Sequence, residues 1–192
     1  MDYMITDIKN HFNIDMFNDA EYLSFNAFII IICVLVFVVS EDSIFFRIKR
    51  TFLILYMDVV YSMTVQMRIG SNAIRKIRMQ PLYTVFYYQK NGSVFMFWQD
   101  IINILMFLPI GLLCTDLIRG KSTIWKYLMM LICITLFSVI IETEQYYMRA
   151  GVCEFDDILT NTIGGVIGMV IGSAKDIQII KKGKGLSNNG TD

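Results

Sequence analysis

Residues 22–40 read YLSFNAFIIIICVLVFVVS, an apolar stretch without one charged side chain. About 20 such residues in a helix cross the hydrocarbon core of a bilayer. Similar runs recur at about 51–70, 95–118, 124–144 and 158–174, so apolar segments take up most of a 192-residue chain. A domain of that length has no water-free core large enough to bury five such segments, and lipid is the solvent that accommodates them. The composition agrees, with 55% hydrophobic and 18% charged residues and a mean hydropathy of +0.53. The second run is the weakest of the set, because Asp58, Ser62 and Gln66 fall within it at i, i+4 and i+8. That spacing puts them on one helical face, which is expected to turn toward the bundle.

The pattern predicts an all-α fold: a polytopic helical membrane bundle of about five transmembrane helices, in a multi-pass protein of the cell membrane. Pro109 is expected to kink the third helix or to break it into a re-entrant segment. The chain divides into an acidic N-terminal segment (1–21), a transmembrane domain (22–174) and a basic, flexible tail (175–192). The N-terminal segment lacks the basic n-region and apolar h-region of a cleavable signal, so the first span is expected to remain. Formal net charge is zero, which gives no electrostatic footprint for nucleic acid. Cys33, Cys114, Cys133 and Cys153 show no CxxC or Cys/His spacing, and the sole histidine is His11 in the N-terminal segment. No disulfide or metal site is expected from them, and no cofactor is legible.

Basic residues set the expected orientation. With the N-terminus outside, 10 of the 17 lysines and arginines fall on the inner side, among them Arg47, Lys49, Arg50 and Lys126. The segment RIGSNAIRKIR, at 68–78, opposes this balance. The preferred arrangement is N-terminus outside and C-terminus cytoplasmic.

The last apolar run opens with two aspartates: FDDILTNTIGGVIGMVIGSAK. At about 100° per residue, Asp157, Asn161, Gly164, Gly168 and Gly172 share one stripe. The glycines form a GxxxGxxxG series that lets another helix approach backbone to backbone, so the polar pair is expected on the packed face. In TLFSVIIETEQYY, residues Thr135, Ser138, Glu142 and Gln145 also share a face. The short connection between the fourth and fifth runs makes them antiparallel neighbours, with Glu142, Gln145, Asp157 and Asn161 at one depth near the outer surface and Asn103 approaching from the third helix. Asp156 reads as a solvated flank.

These residues carry a resemblance. NILMFLPIGLL, then IIETEQ, then DDILTNTIGGVIG together resemble the VanZ-like family of bacterial membrane proteins. Its pattern has an N-x-x-x-F-x-P-x-G stretch, an E-x-x-Q helix and a D-x-x-x-N-x-x-G-x-x-x-G helix. In this chain the matching positions are Asn103, Phe107, Pro109 and Gly111; Glu142 and Gln145; Asp157, Asn161, Gly164 and Gly168. The similarity covers about 51–174. Two positions depart from the pattern: Arg78 stands where an asparagine is usual, and Gly151 where many members carry an arginine. The resemblance implies a cell-envelope protein, because the founding member is an accessory of glycopeptide resistance associated with lowered susceptibility to teicoplanin.

Two functions fit the residues. One is an accessory or binding protein whose Glu142, Gln145, Asp157, Asn161 and Asn103 engage a membrane lipid, a lipid-linked cell-wall precursor or a lipophilic glycopeptide. The other is an intramembrane enzyme acting on a lipid-linked substrate, with Glu142 and Asp157 dividing acid and base roles. Pro109, Gly111, Gly164, Gly168 and Gly172 are assigned to helix packing.

Overall fold

The computed structural model describes residues 20–69, 75–92, 94–115 and 123–188. Among them are six α-helices: α1 (Ala20–Val39), α2 (Ile44–Thr64), α3 (Tyr83–Asn91), α4 (Phe95–Cys114), α5 (Thr123–Tyr147) and α6 (Phe155–Asn188). A 3-10 turn at Gln66–Arg68 follows α2, and the two-residue strands β1 (Ile77–Arg78) and β2 (Cys153–Glu154) complete the set. The fold is an all-α membrane bundle. By length and composition α1, α4, α5 and α6 are each able to cross a membrane.

The second expected span needs new boundaries, since α2 begins at Ile44 and ends at Thr64 instead of running from 51 to 70. Its early start puts Arg47, Lys49 and Arg50 inside the helix, which lowers its apolar character relative to the other four. Its early end has a tertiary cause. In a continuing helix the Thr64 carbonyl would accept from residue 68, but here it accepts from the Gln145 side chain at 3.1 Å, while the Arg68 N–H bonds to Val65. The expected inward turn of the polar series holds: Ser62 and Gln66 are buried and bond to each other at 2.6 Å.

The turn between α1 and α2 is tied by arginines from the first turns of α2. Arg50 pairs with Asp42 and donates to Ser40, and Arg47 donates to the Asp42 and Phe37 carbonyls. At the end of α1, Arg47 satisfies one carbonyl, Phe37, that a helix C-terminus leaves open. Most of the apolar surface of α1 faces outward, including Phe28, Ile31 and Val38, as suits a helix bathed in lipid.

The centre of the bundle is the contact of α6 with α4 and α5. A Cβ added to Gly164 would strike the Ile104 carbonyl, one at Gly168 the Leu108 carbonyl, and one at Gly172 the Thr115 side chain. The rising order on both helices makes α4 and α6 parallel. From the other side, a Cβ on Gly111 would strike the Gly165 carbonyl. Gly165 in turn faces Ile134 of α5. α5 runs antiparallel to α6, with Ser138 against Asn161 at 2.9 Å, Thr135 against Thr162 at 3.4 Å and Tyr127 against Ser173 at 2.6 Å. Pro109 lies inside α4, which remains continuous from Phe95 to Cys114; within those residues there is no break or re-entrant segment. Phe107 and Ile110, on either side of it, are fully buried, so packing holds the helix together where the proline removes a backbone donor.

Because no atom fits between α6 and the α4 backbone, Gly168→Leu should abolish or sharply reduce the folded protein in membranes. Overpacking typically costs about 1–3 kcal/mol and more where backbone must move. Val170→Leu, on the exposed face of the same helix, should melt within a few degrees of the parent in detergent. Equal thermal stability of the two variants would contradict the glycine contact.

Candidate functional site

Four chain ends meet at one end of the bundle: the C-termini of α2 and α5 and the N-termini of α4 and α6. The chain leaves α5 through Arg149, which has a left-handed backbone (φ 54°), and the Ala150 N–H returns to the Gln145 carbonyl at 2.9 Å. It then forms β2, which pairs in parallel with β1 in the register Ile77 with Cys153 and Arg78 with Glu154. The Cys153 N–H also bonds to the Lys76 carbonyl at 3.0 Å. This small clasp folds the segment before α3 over the ends of α5 and α6. It is closed by Arg78, which pairs with Glu154 at 2.7 Å and lies 4.1 Å from the centre of the Tyr83 ring. Arg78, one of the two departures from the pattern, therefore has a structural partner.

Glu142 is 2% exposed, and its Oε2 accepts the Glu154 N–H at 2.9 Å. Asp157, three residues later, is half-buried; its backbone carbonyl accepts from the Thr160 hydroxyl at 3.3 Å, while its carboxylate has no hydrogen bond or ion pair among the described residues. The two carboxylates lie within electrostatic range of each other, and Arg68 lies within range of both. One turn further into the bundle, Asn161 donates its Nδ2 to Ser138, while its Oδ1 is buried without a partner. Glu142, Asp157 and Asn161 thus adjoin across the α5–α6 contact.

Gln145 and Asn103 are placed differently. Gln145 is buried and caps the end of α2 through Thr64, so its amide is committed to holding a helix terminus. A Cβ on Gly151 would lie 3.3 Å from its Oε1, which puts position 151 directly over this glutamine. Asn103 is half-buried on α4 and makes no hydrogen bond to the other four candidates among the described residues.

Asp156 corrects the expectation of a solvated flank. It is 5% exposed, and its carboxylate accepts the Leu82 N–H at 2.7 Å and the Thr84 N–H at 3.0 Å. Those bonds cap α3 and hold Leu82 in a left-handed conformation (φ 57°), which is unfavourable for a side chain of that size. The signal was absent from the local sequence because the partners lie 74 and 72 residues away. A second missed acid is Asp100, which faces the Thr84 hydroxyl and lies in electrostatic range of Asp156 and Glu154. Its spacing of three from Asn103 on the same helix face was the signal that could have found it.

Cys153, in the connection between the last two spans, is buried. Burial raises its thiol pKa above the usual value, and the charges of Glu142, Asp157 and Glu154 raise it further. A raised thiol pKa disfavours the thiolate form that a nucleophile needs. Among the described residues, no three His, Cys, Asp or Glu side chains are grouped to hold a metal ion.

The two adjacent aspartates should separate in mutagenesis. Asp156→Ala strands two backbone donors and should cost about 1–3 kcal/mol for each, seen as a large fall in detergent melting temperature. Asp157→Asn removes charge but no protein hydrogen bond and should melt close to the parent. The reverse order would contradict the capping role.

The motifs carried by α4, α5 and α6 now have a spatial account, and comparison with known proteins agrees with it. A family model described as VanZ/LLP1 matches residues 25–176, a range that starts within α1 and takes in most of the first apolar span and all of the other three. No curated protein and no solved structure matches the chain. The match covers well over half of the sequence, and the chain belongs to the VanZ/LLP1 family.

Proposed function

We propose that this protein is a cell-envelope accessory that binds the polar head of a membrane amphiphile at the Glu142–Asp157 site, and that binding alters susceptibility to lipophilic glycopeptides such as teicoplanin. The observation that carries the reading is the Asp157 carboxylate, half-buried at a helix terminus without a protein partner beside the buried carboxylate of Glu142. Ionisable groups held at membrane depth carry a desolvation cost that a purely structural role does not require. Packing of the bundle has no visible need for Asp157. The link to glycopeptides comes from the family resemblance, and the ligand sources it suggests are a membrane lipid, a lipid-linked cell-wall precursor or the antibiotic itself.

An intramembrane enzyme acting on a lipid-linked substrate is the second reading. Its supporting observation is the asymmetry of the pair: Glu142 holds a backbone N–H, whereas Asp157 has no such bond. Unlike surroundings are what divide two carboxylates into acid and base. Thin-layer analysis of envelope lipids separates the readings, since an enzyme predicts one lipid species accumulating in both a deletion strain and a Glu142→Gln strain.

The proposed orientation puts the site at the outer leaflet. In support, Arg47, Lys49, Arg50 and Lys126 lie toward the opposite end of the bundle, as basic cytoplasmic flanks do. A cysteine replacing Met148, which is exposed, should react from outside with an impermeant thiol reagent, and a reporter fused after Asp192 should be cytoplasmic. Reversed labelling would overturn the orientation.

The functional test is a glycopeptide susceptibility panel at matched expression. Glu142→Gln and Asp157→Asn should each abolish the phenotype of the intact protein, and the double variant should be little worse than either, as for residues sharing one network. Full activity of the double variant would refute the site.

A further inference from the structure

Around the Glu142–Asp157 pair the protein supplies acceptors and leaves them unmatched. Glu142 uses Oε2 on the Glu154 N–H, and the Asp157 carboxylate has no hydrogen bond among the described residues. Asn161 is 4% exposed, and its Oδ1 has no partner although its Nδ2 is bonded to Ser138. Asn161 lies one turn after Asp157 on α6, and Ser138 lies one turn before Glu142 on α5, so the amide spans the gap directly beneath both carboxylates. Its orphan oxygen is a buried acceptor that costs free energy until a donor arrives.

The surrounding charges define that donor. Glu154 is committed to Arg78 and Asp156 to two backbone N–H groups. Arg68 acts on the pair from electrostatic range but makes no ion pair with either carboxylate among the described residues. A neutral hydroxyl would satisfy one oxygen and leave the negative charge in place. A divalent cation takes about six or more oxygen ligands, and among the described residues no three His, Cys, Asp or Glu side chains are grouped to hold one. A primary ammonium is compact, singly charged and carries three N–H donors, one for each of the two carboxylates and one for the amide oxygen.

We propose that this site takes the primary ammonium group of a membrane lipid headgroup, held by Glu142, Asp157 and the Oδ1 of Asn161. The inference rests on the reading of this site as a headgroup-binding site and narrows its ligand class. Because the site sits where helices end, an amine at headgroup level reaches it while the acyl chains stay beside the apolar outer faces of the helices. A trimethylated ammonium keeps the charge but has no N–H donor, so it cannot satisfy the orphan oxygen.

The experiment is native mass spectrometry of the full chain in detergent, titrated with phosphatidylethanolamine, phosphatidylcholine and phosphatidylglycerol of identical acyl chains. Phosphatidylethanolamine should bind roughly tenfold or more tightly than phosphatidylcholine, the scale expected for charge-assisted hydrogen bonds. In Glu142→Gln and Asp157→Asn proteins that retain the parent's melting behaviour, the preference should fall to within about twofold. Where one variant fails to fold, the other carries the test. Equal binding of the three lipids by the intact protein would overturn the proposal, as would a preference that survives in a folded variant. Displacement of the lipid by glycerophosphoethanolamine at comparable concentration would overturn the lipid as source. Failure here is distinct from failure of the functional reading: a carboxylate-dependent susceptibility phenotype without ethanolamine preference would refute only the ammonium assignment.

Discussion

The contact of α6 with the α4 backbone is the constraint on which the rest of the structure depends. In lipid there is little hydrophobic gain from pressing two apolar helices together, so close packing and interhelical polar contacts must hold the bundle. Glycines at 164, 168 and 172 remove the side chains that would separate α6 from Ile104, Leu108 and Thr115. Once that face is spent on α4, the adjacent face of α6 turns to α5. Thr162, Asn161 and Ser173 then meet Thr135, Ser138 and Tyr127. The polar site follows from the same rotation, since Asp157 is one turn before Asn161 on that helix.

The clasp over the site depends on this arrangement in turn. β2 leads directly into α6, so fixing α6 fixes Glu154, whose N–H bonds Glu142 and whose side chain holds Arg78. Asp156 then reaches across to cap α3. Gln145, one turn after the Glu142 level, caps α2. The acids and amides at this end therefore divide by their partners. Asp156, Glu154 and Gln145 are occupied by the fold, while the Asp157 carboxylate and the buried Asn161 Oδ1 have no hydrogen-bond partner among the described residues.

Much of this was legible in the sequence because membrane physics writes strong local signals. The apolar runs at 22–40, 124–144 and 158–174 need only length and composition. The glycine series and the Asp157–Asn161 stripe need only the 3.6-residue period. What periodicity could not carry were pairings between distant segments. The end of α2 depended on Gln145, 81 residues from Thr64, and the role of Asp156 on a loop more than 70 residues upstream. The parallel pairing of β1 with β2 is too short to leave a pattern in either strand. Pro109 left a kink and a break both open, since a proline signals either locally, and only the packing of Phe107 and Ile110 shows why the helix continues.

The central claim is that α5 and α6 face each other through Ser138 and Asn161, directly beneath the two carboxylates. Oxidative cross-linking in a background lacking the native cysteines tests it most directly. A Ser138→Cys, Asn161→Cys protein should form an intramolecular disulfide across the two helices, while Ser138→Cys paired with Ile163→Cys, on the exposed face of α6, should not. Cross-linking to position 163 in folded protein, with none to 161, would place the carboxylates on different surfaces and contradict the account.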